Sequence, residues 1–396
     1  MVRPRQGALR VAAEVRENRL KTINYGVIGC GMMGREHLRN IALLPDARVA
    51  AIYEPNELQA AAAKAIAPNA RLCGSLWELL SHDPLDCLLV ASPNHLHVAQ
   101  FEEIAARRPL PLLIEKPLYT DPADAPRIAA IGESYPAPLW VAMEYRYMPP
   151  VQTFIEQAEA VTGGVRMLTI REHRFPFLEK VGHWNRFNRM TGGTLVEKCC
   201  HFFDLMRLIM ADEPVRVMAS AGQAVNHLDE SYDGEVPDVW DSAYVIVDFA
   251  RGGRAMLELC MYAEGSTYQE EISAVGPEGK IEAFVPGPGR FWPTHLGAPP
   301  VARVIASPRR PKGPLAVDIP VDPTLLEAGD HNGSTFYQHV RFLDLVRGGG
   351  SPEVTLEDGA QAVAMGLAAQ EAALLGTVVR LPAPVALAEG VAIAGE

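Results

Sequence analysis

The stretch that decides the fold is residues 25–34, which reads YGVIGCGMMG: a short apolar strand that runs into the pattern G-x-G-x-x-G. Each glycine of the pattern meets a requirement that a side chain would prevent. Gly29 makes the tight turn, Gly31 lets the backbone approach a pyrophosphate, and Gly34 lets the next helix pack close to the strand. The amide groups that open this helix then point toward the phosphates. The stretch therefore predicts a dinucleotide-binding turn between a strand and a helix.

A single G-x-G-x-x-G is a weak signal, because a glycine turn can join a strand to a helix without binding a ligand. Here a second apolar run, residues 49–53, follows the helical segment and ends in Glu54. Its spacing from Gly29 is slightly longer than the roughly 20 residues typical of the acidic residue that binds a ribose 2′-hydroxyl. The charge of Glu54 would also repel a 2′-phosphate. The surroundings therefore favour a ligand, and NAD rather than NADP.

The composition is that of a globular protein. The chain has 396 residues, of which 48% are hydrophobic and 21% charged, enough for two or three domains. The formal net charge of −12 argues against nucleic acid or an anionic membrane as a partner. The sequence contains no run of about 20 apolar residues, so it predicts no membrane span. Six cysteines are too few for a disulfide framework, so we expect a reducing, cytoplasmic location.

The two ends of the chain and one cluster of cysteine and histidine lie outside the domain pattern. Residues 1–21 are basic and lack the apolar core of a secretory signal, so we interpret them as a leader of uncertain order, and residues 386–396 as a tail. Cys199, Cys200 and His201 are adjacent, which raises the question of a metal site. Their spacing matches no zinc pattern, and we predict no bound metal.

Residues 22–147 alternate apolar strands with helical segments, which predicts an α/β domain with a parallel, doubly wound Rossmann sheet. Its strands are predicted at 23–28, 49–53, 87–90, 112–114 and 140–143, and helices at 57–66 and 98–106. Residues 148–385 predict an α+β domain with a large, mostly antiparallel, open sheet. Its strands are predicted at 165–171, 215–219, 242–249, 255–261 and 270–275, followed by a long surface excursion at 286–323 and helices at 334–347 and 356–375.

Four further motifs narrow the function. The predicted strands of the first domain are followed by SPNHLH at 92–97, EKP at 115–117 and YRYMP at 145–149, and the second domain carries GGTLVEKCCHFFD at 192–204. In this order and spacing the motifs resemble the Gfo/Idh/MocA family of NAD(P)-dependent oxidoreductases, named after glucose–fructose oxidoreductase and inositol dehydrogenase. The resemblance covers residues 22–382. It implies a nicotinamide cofactor on the first domain and a sugar or polyol between the cofactor and the second sheet.

The resemblance also implies roles for single residues. Besides the glycine turn and Glu54, it implies cofactor contacts at Met32, Met33, Pro93, Asn94, His97, Glu115 and Arg146. Lys116 would be the catalytic lysine that steadies an oxyanion, and His201 the base that takes the hydroxyl proton. The family usually has aspartate at Glu197, and an apolar residue and glycine at Lys198 and Cys199. Glu197 is four residues before His201, so it can still orient that base or reach the substrate, and we include it as catalytic.

Residues 166–198 suggest the substrate class. They hold seven basic and three acidic side chains in a chain of net negative charge. Arginine forks suit an anionic group and tryptophan suits a sugar face, which favours a carbohydrate with a sulfonate, carboxylate or phosphate. The alternative is a solvated or subunit-interface segment whose charges pair with acids elsewhere. The predicted substrate contacts are Lys116, Arg171, His173, Arg174, His183, Trp184, Arg186, Lys198, His201 and His331.

These inferences predict an NAD-dependent dehydrogenase acting on a secondary alcohol of a sugar, sugar derivative or polyol, assembled as a homodimer or homotetramer. The altered motif at Glu197 keeps a second function open. This alternative is a redox-neutral glycosidase that oxidises an anionic glycoside such as a sulfosugar, eliminates the aglycone, adds water and returns the hydride to the sugar. A non-catalytic NAD-binding regulator is the remaining alternative, although it would need neither Lys116 nor His201.

Overall fold

The computed structural model describes residues 21–382 of the chain. Residues 1–20 of the expected leader and the expected tail at 386–396 lie outside this range. Lys21, the first described residue, pairs with Asp86, 2.6 Å away. Among the described residues, no helix is long and apolar enough to cross a bilayer.

Among the described residues, the first sheet has six strands, and all of them run parallel, as the alternating pattern predicts. Its spatial order is β3-β2-β1-β4-β5-β6, the doubly wound order of a Rossmann fold. The strands are Ile23–Ile28 (β1), Ala47–Tyr53 (β2), Arg71–Cys73 (β3), Cys87–Val90 (β4), Leu112–Ile114 (β5) and Leu139–Val141 (β6). Strand β3 was not predicted, because this short edge strand exposes two of its three residues and lacks an apolar run.

Helices connect these strands. They are Met32–Ala42 (α1), Glu57–Ile66 (α2), Leu76–Leu80 (α3), His97–Arg107 (α4) and Ala125–Ser134 (α5). Asn56 caps α2 by accepting a hydrogen bond from the amide of Gln59, and Ser75 caps α3 in the same way from Glu78. The caps place the start of each helix beside the carboxyl edge of the sheet, where ligands bind in this fold.

In the described part of the chain, the second sheet has nine strands in the order β14-β13-β12-β11-β7-β10-β9-β8-β15. Strands β7 and β10 run parallel, and the other neighbouring strands run antiparallel, as expected for the second part of the chain. The strands are Met167–His173 (β7), Pro214–Gly222 (β8), Ser242–Phe249 (β9), Arg254–Cys260 (β10), Glu270–Val275 (β11), Gly279–Val285 (β12), Arg303–Pro308 (β13), Leu315–Asp318 (β14) and Val379–Arg380 (β15).

The surface excursion expected at 286–323 is partly wrong. It contains β13, which pairs antiparallel with β12, and β14, which pairs antiparallel with β13. These strands lie at the edge of the sheet, and β14 is exposed along its whole length. An edge strand needs little apolar alternation, and prolines and glycines around it hide the pattern that remains.

Within residues 21–382, helices cover one face of the second sheet and leave the other open. The helices of this part are Pro149–Thr162 (α6), Asn188–Thr191 (α7), Thr194–Glu197 (α8), Cys200–Met210 (α9), Pro323–Ala328 (α10), Ser334–Val346 (α11) and Leu356–Leu375 (α12). Helix α6 packs on β12 and α12 packs on β8. Along β9, Val245 and Val247 are buried on this face, whereas Tyr244 and Ile246 point to the open face and are 59% and 42% exposed. Helix α11 instead returns to pack against α1 of the first sheet.

Candidate active site

The three glycines of the turn have the geometry that their pattern predicts. Gly29 has a φ of +86°, and a Cβ there would lie 2.6 Å from the backbone of Ser92. A Cβ on Gly34 would lie 2.3 Å from the carbonyl oxygen of Gly29, so the close packing of α1 on β1 requires glycine. A Cβ on Gly31 would meet no atom within 4 Å. The backbone at Gly31 is therefore open to a ligand.

That opening belongs to a cleft along the carboxyl edge of the first sheet, which we call the central cleft. About 1240 Å³ of non-atom space lies in it, including space that is open to solvent. Of the predicted cofactor residues, those that line it are Gly29, Gly31, Met32, Met33, Glu54, Pro93, Asn94 and Glu115. It also reaches Lys116, Glu197 and Trp184. The cleft thus joins the glycine turn to Lys116 and Glu197, whereas His201 is buried and is not part of its lining. The lining fits a bound dinucleotide.

Glu54 is held in place at the end of β2. Its carboxylate accepts hydrogen bonds from the backbone amides of Cys30, at 2.7 Å, and Asn56, at 2.9 Å. These two bonds fix the side chain beside the glycine turn while leaving it half-buried on the cleft wall. The position suits an acceptor for ribose hydroxyls.

Two polar residues of this wall escaped the sequence analysis. Arg35 and Gln59 line the central cleft, and a guanidinium nitrogen of Arg35 donates to the amide oxygen of Gln59. The same guanidinium donates to the carbonyl oxygen of Cys30 at 3.2 Å. Arg35 directly follows Gly34 in the first turn of α1, a place that the motif itself could have identified.

Two predicted cofactor contacts lie elsewhere. His97 is fully buried, and its ring nitrogens lie 2.8 Å and 3.0 Å from the carbonyl oxygens of Pro117 and Ser92, so it ties two loops of the cleft together from behind. Arg146 donates to Asp204 at 2.6 Å and to the carbonyl oxygen of Glu353 at 2.8 Å. The cofactor assignment of Arg146 is therefore corrected to a structural ion pair, because Asp204 occupies its guanidinium.

Lys116 joins the cleft wall to the motif at 192–204. Its ammonium donates to the backbone carbonyl oxygen of Glu197 at 3.0 Å. Burial lowers the pKa of Lys116, but Cys200, Glu197 and other acidic groups outweigh burial and hold this pKa above its usual value. The carboxylate of Glu197 faces Lys180, 3.2 Å away, and its second oxygen has no hydrogen-bond partner among the described residues. Lys116 is thus a permanent positive charge on the cleft.

His201 lies one helical turn beyond Glu197, in α9. It is 2% exposed, and its ring stacks on Tyr145 with centroids 4.1 Å apart. Burial, together with the charges of Lys116, Lys198 and other cations, lowers the pKa of His201 well below its usual value. Its Nε2 lies 3.7 Å from a carboxyl oxygen of Glu144, and its Nδ1 has no partner in the described part of the chain. His201 is therefore a neutral imidazole with a free acceptor nitrogen.

Glu144 and Tyr145 are site residues that the sequence analysis missed. Burial, reinforced by the nearby charge of Glu115, raises the pKa of Glu144 to about 7, and neither of its oxygens has a hydrogen-bond partner in the described structure. Both residues follow β6 at the carboxyl edge of the sheet, in the short helix Glu144–Tyr147. That edge is where ligands bind in this fold, so the position was an available signal.

Lys198 points away from the central cleft. Its ammonium lies 2.8 Å from Glu172 on β7 and donates to the hydroxyl of Tyr145 at 2.5 Å. Glu172 is fully buried and also lies 3.7 Å from Arg174. Burial and the like charge of Arg174 lower the pKa of Lys198, whereas burial and the charge of Glu172 raise the pKa of Glu270 to about 7. The unusual lysine of the motif therefore belongs to a buried ion cluster of Lys198, Glu172, Arg174 and Glu270.

The substrate contacts predicted at Arg171 and His173 are wrong. Alternate residues of β7 face opposite sides of the sheet, so Glu172 points inward while Arg171 and His173 point to the open face. There Arg171 pairs with Glu271 and His173 lies 2.9 Å from Glu258. Both side chains are separated from His201 by the sheet itself.

The residues of the loop after β7 likewise lie partly at the central cleft and partly outside it. Trp184 lines the central cleft, and the ammonium of Lys180 lies 4.3 Å from the centre of its ring. His183 stacks on Tyr232 outside the cleft, with ring centroids 4.0 Å apart. Arg186 is buried against Glu230 at 2.9 Å, also outside the cleft. Of the three predicted contacts in this loop, only Trp184 is at the cleft.

His331 forms an ion pair between the two parts of the chain. Its Nδ1 lies 2.8 Å from the carboxylate of Glu36 in α1, which also accepts from the Thr335 hydroxyl at 2.9 Å and the Asp330 amide at 3.1 Å. Its ring centroid lies 6.0 Å from that of Tyr145. His331 thus lies near the predicted catalytic residues, but its Nδ1 is paired with the carboxylate of Glu36.

Within residues 21–382, no group of three or more histidine, cysteine, aspartate or glutamate side chains is arranged to hold a metal ion. Cys199 and Cys200 are both buried in this region, and burial raises the pKa of each thiol. The adjacent cysteines are packed as neutral thiols.

Comparison with known proteins identifies the family. Residues 23–143 match the model of the oxidoreductase family's NAD-binding Rossmann fold, and residues 158–381 match that of its C-terminal alpha/beta domain. An inositol 2-dehydrogenase from Saccharopolyspora erythraea is 28% identical over 290 residues, covering 71% of this chain and 79% of its own.

Solved structures share the fold. A probable dehydrogenase from Thermotoga maritima has a TM-score of 0.71 at 24% identity, covering 90% of this chain and 98% of its own. A levoglucosan dehydrogenase solved with NADH and levoglucosan has a TM-score of 0.75 at 19% identity, covering 91% of this chain and 100% of its own. The glycine turn, the central cleft and both family matches agree, and the chain is a member of the Gfo/Idh/MocA family of oxidoreductases with NAD as its cofactor.

Proposed function

We propose that this protein oxidises a secondary alcohol of a neutral sugar or polyol, with NAD as the hydride acceptor. The observation that carries the proposal is the contact of Lys116 with the α8–α9 turn. Lys116 lines the central cleft, and its ammonium is bound to the carbonyl oxygen of Glu197, one helical turn before the neutral imidazole of His201. A cation on the cleft wall, and a buried imidazole one helical turn beyond the residue that this cation contacts, support the proposal.

Each of these residues can perform one part of the oxidation of an alcohol. Bound NAD supplies the hydride acceptor. His201, which is neutral, accepts the hydroxyl proton at Nδ1, and the carboxyl group of Glu144 beside Nε2 stabilises the imidazolium that forms. The ammonium of Lys116 stabilises the negative charge that develops on the substrate oxygen. Glu197, spaced by one turn from His201, accepts a hydrogen bond from a substrate hydroxyl.

The charges favour a neutral substrate over an anionic one. The basic residues that suggested an anion mostly have carboxylate partners: Arg171 with Glu271, Arg174 and Lys198 with Glu172, Lys180 with Glu197, Arg186 with Glu230, and Arg189 with Glu235. The carboxyl groups of Glu144 and Glu197 instead retain oxygens without partners among the described residues. Unpartnered acceptors suit a ligand rich in hydroxyl donors.

The test is NADH formation with purified protein, NAD and a panel of inositols, neutral sugars, anionic sugars and aryl glycosides. We expect NADH with a neutral polyol or sugar. His201→Asn should lower turnover by about 10²–10⁴-fold, the usual contribution of a general base, while NADH binding persists. Aglycone release without net NADH would instead establish the redox-neutral glycosidase. No product with His201 and Lys116 intact, despite NAD binding, would favour a regulator.

We also propose that a second copy of this chain covers the open face of the second sheet. Large apolar side chains on that face are exposed, among them Tyr244 and Ile246 on β9. An apolar sheet face of this kind is typical of an oligomer contact.

All six cysteines lie in the described region and are unpaired there, which supports the expected reducing, cytoplasmic location.

A further inference from the structure

A chain of four buried side chains leads from β1 to the wall of the central cleft. The hydroxyl of Tyr25 lies 3.2 Å from Nδ1 of His339, whose Nε2 lies 2.9 Å from Nδ1 of His37. Nε2 of His37 lies 2.8 Å from a carboxylate oxygen of Glu115. All four side chains are at most 3% exposed. We call them the buried hydrogen-bond chain.

The Glu115 carboxylate gives this chain a direction when both imidazoles are neutral. A carboxylate only accepts hydrogen bonds, so Nε2 of His37 must donate to Glu115. In the arrangement with two neutral rings, each ring has one donor and one acceptor, so Nδ1 of His37 accepts from Nε2 of His339. Nδ1 of His339 then accepts from the hydroxyl of Tyr25. Every ring nitrogen is satisfied, and all donors point toward Glu115, an arrangement in which each bond strengthens the next.

Burial supports this assignment for His339. Burial, with the neighbouring His37, lowers the pKa of His339 well below its usual value, so the ring is neutral as the scheme requires. His339 lies in α11, which comes between β14 and β15 of the second sheet in the chain, whereas His37 lies in α1 of the first domain. The chain therefore joins two distant segments at the cofactor side of the molecule.

Glu115 is the end of the chain that meets the cleft. Its second oxygen accepts from the backbone amide of Lys116 at 3.1 Å. The charged or titratable groups around it are His37 of α1, His97 of α4, the adjacent Lys116, and Glu144 after β6. Burial raises the pKa of Glu115, but the hydrogen bond from His37 and the charge of Lys116 outweigh burial and lower it. Glu115 is thus a carboxylate in a site that by burial alone would favour the protonated acid.

We infer that Tyr25, His339 and His37 are positioning residues that hold the Glu115 carboxylate ionised and aimed at a hydroxyl group of the bound nicotinamide nucleotide. This inference rests on the proposed function only in that Glu115 contacts the cofactor. It adds three residues, none of which lines the central cleft, to the determinants of cofactor binding.

The experiment is a calorimetric titration of the full chain with NADH between pH 6 and pH 8.5, which needs no substrate. His37→Leu removes the donor to Glu115, whereas the matched variant His37→Gln keeps an amide donor near the position of Nε2. We expect His37→Leu to bind NADH about tenfold more weakly at pH 6, the value of one hydrogen bond to a charged group. The loss should shrink toward pH 8.5, where Glu115 ionises without help, and His37→Gln should stay within about threefold of the wild type.

Two further variants separate positioning from folding. Adding His37→Leu to Glu115→Gln should weaken NADH binding no further than Glu115→Gln alone, because both act through one carboxylate. Tyr25→Phe removes one hydroxyl and tests the far end if His37→Leu does not fold, with an expected loss of about twofold at pH 6 and none at pH 8.5.

Several results would overturn the inference. Wild-type affinity in His37→Leu and Tyr25→Phe at every pH would do so, as would equal losses in His37→Leu and His37→Gln without pH dependence. Failure of the proposed function would look different, since alcohol turnover would be absent while NADH binding kept this pattern.

Discussion

Replacing His331 by glutamine should remove a pH-dependent contribution to stability. His331 pairs with Glu36, which is 3% exposed, across the contact between α1 and the segment before α11. Although burial opposes its charge, Glu36 raises the pKa of His331 from 6.5 to about 9. Burial also opposes the charge of Glu36, but His331, the Asp330 amide and Thr335 lower its pKa from 4.5 to about 2.

The magnitude follows from these pKa values. The histidine's pKa difference of about 2.5, at 1.36 kcal/mol per pH unit, corresponds to about 3 kcal/mol. The lowered pKa of Glu36 arises from the same ion pair, so its free energy is not added to that of His331. A raised histidine pKa stabilises the fold fully below pH 6.5 and loses this effect as the pH rises through about 9. The carboxylate's share is present above pH 4.5 and is lost as the pH falls through about 2.

The assay is equilibrium urea unfolding followed by tryptophan fluorescence. We expect His331→Gln to lower the free energy of unfolding by about 3 kcal/mol at pH 6 and by less than about 1 kcal/mol at pH 9. Glu36→Gln should give a similar pH-dependent loss, and the double variant should lose less than the sum of the two. An equal loss at both pH values would refute the electrostatic reasoning and leave only packing.

Three further predictions concern the buried ion cluster, the cofactor and assembly. Lys198→Met leaves the fully buried Glu172 without its nearest cation and should cost about 3–5 kcal/mol in urea unfolding, most of which Lys198→Met/Glu172→Met should restore. Glu54→Ala removes an acceptor and a negative charge, so titration should show about tenfold weaker NAD binding and stronger NADP binding; unchanged NAD affinity would contradict its role. Tyr244→Glu on the open sheet face should lower the mass found by light scattering, and an unchanged mass would exclude this face as the subunit contact.

The sequence determined the architecture because its signals are local. The run from Tyr25 to Gly34 contains the strand, the turn and the helix start, and Glu54 ends the next strand, so the Rossmann sheet and NAD could be predicted and are confirmed. The order of the later motifs likewise identified the family. The predicted catalytic roles of Lys116 and His201 remain predictions for the variants above to test.

The tertiary structure decided which polar side chains have partners. Alternation along β7 separates Arg171 from Glu172, but only the packing of the sheet shows which of them faces the helices. The carboxylates that pair with the basic residues are distant in sequence, as Glu271 is from Arg171, and therefore left no local signal. The contact of His37 with His339 joins residues 302 positions apart. Hydrogen bonds and ion pairs depend on distances of a few ångströms in the folded chain, and those distances exist only once the two sheets and their helices have packed.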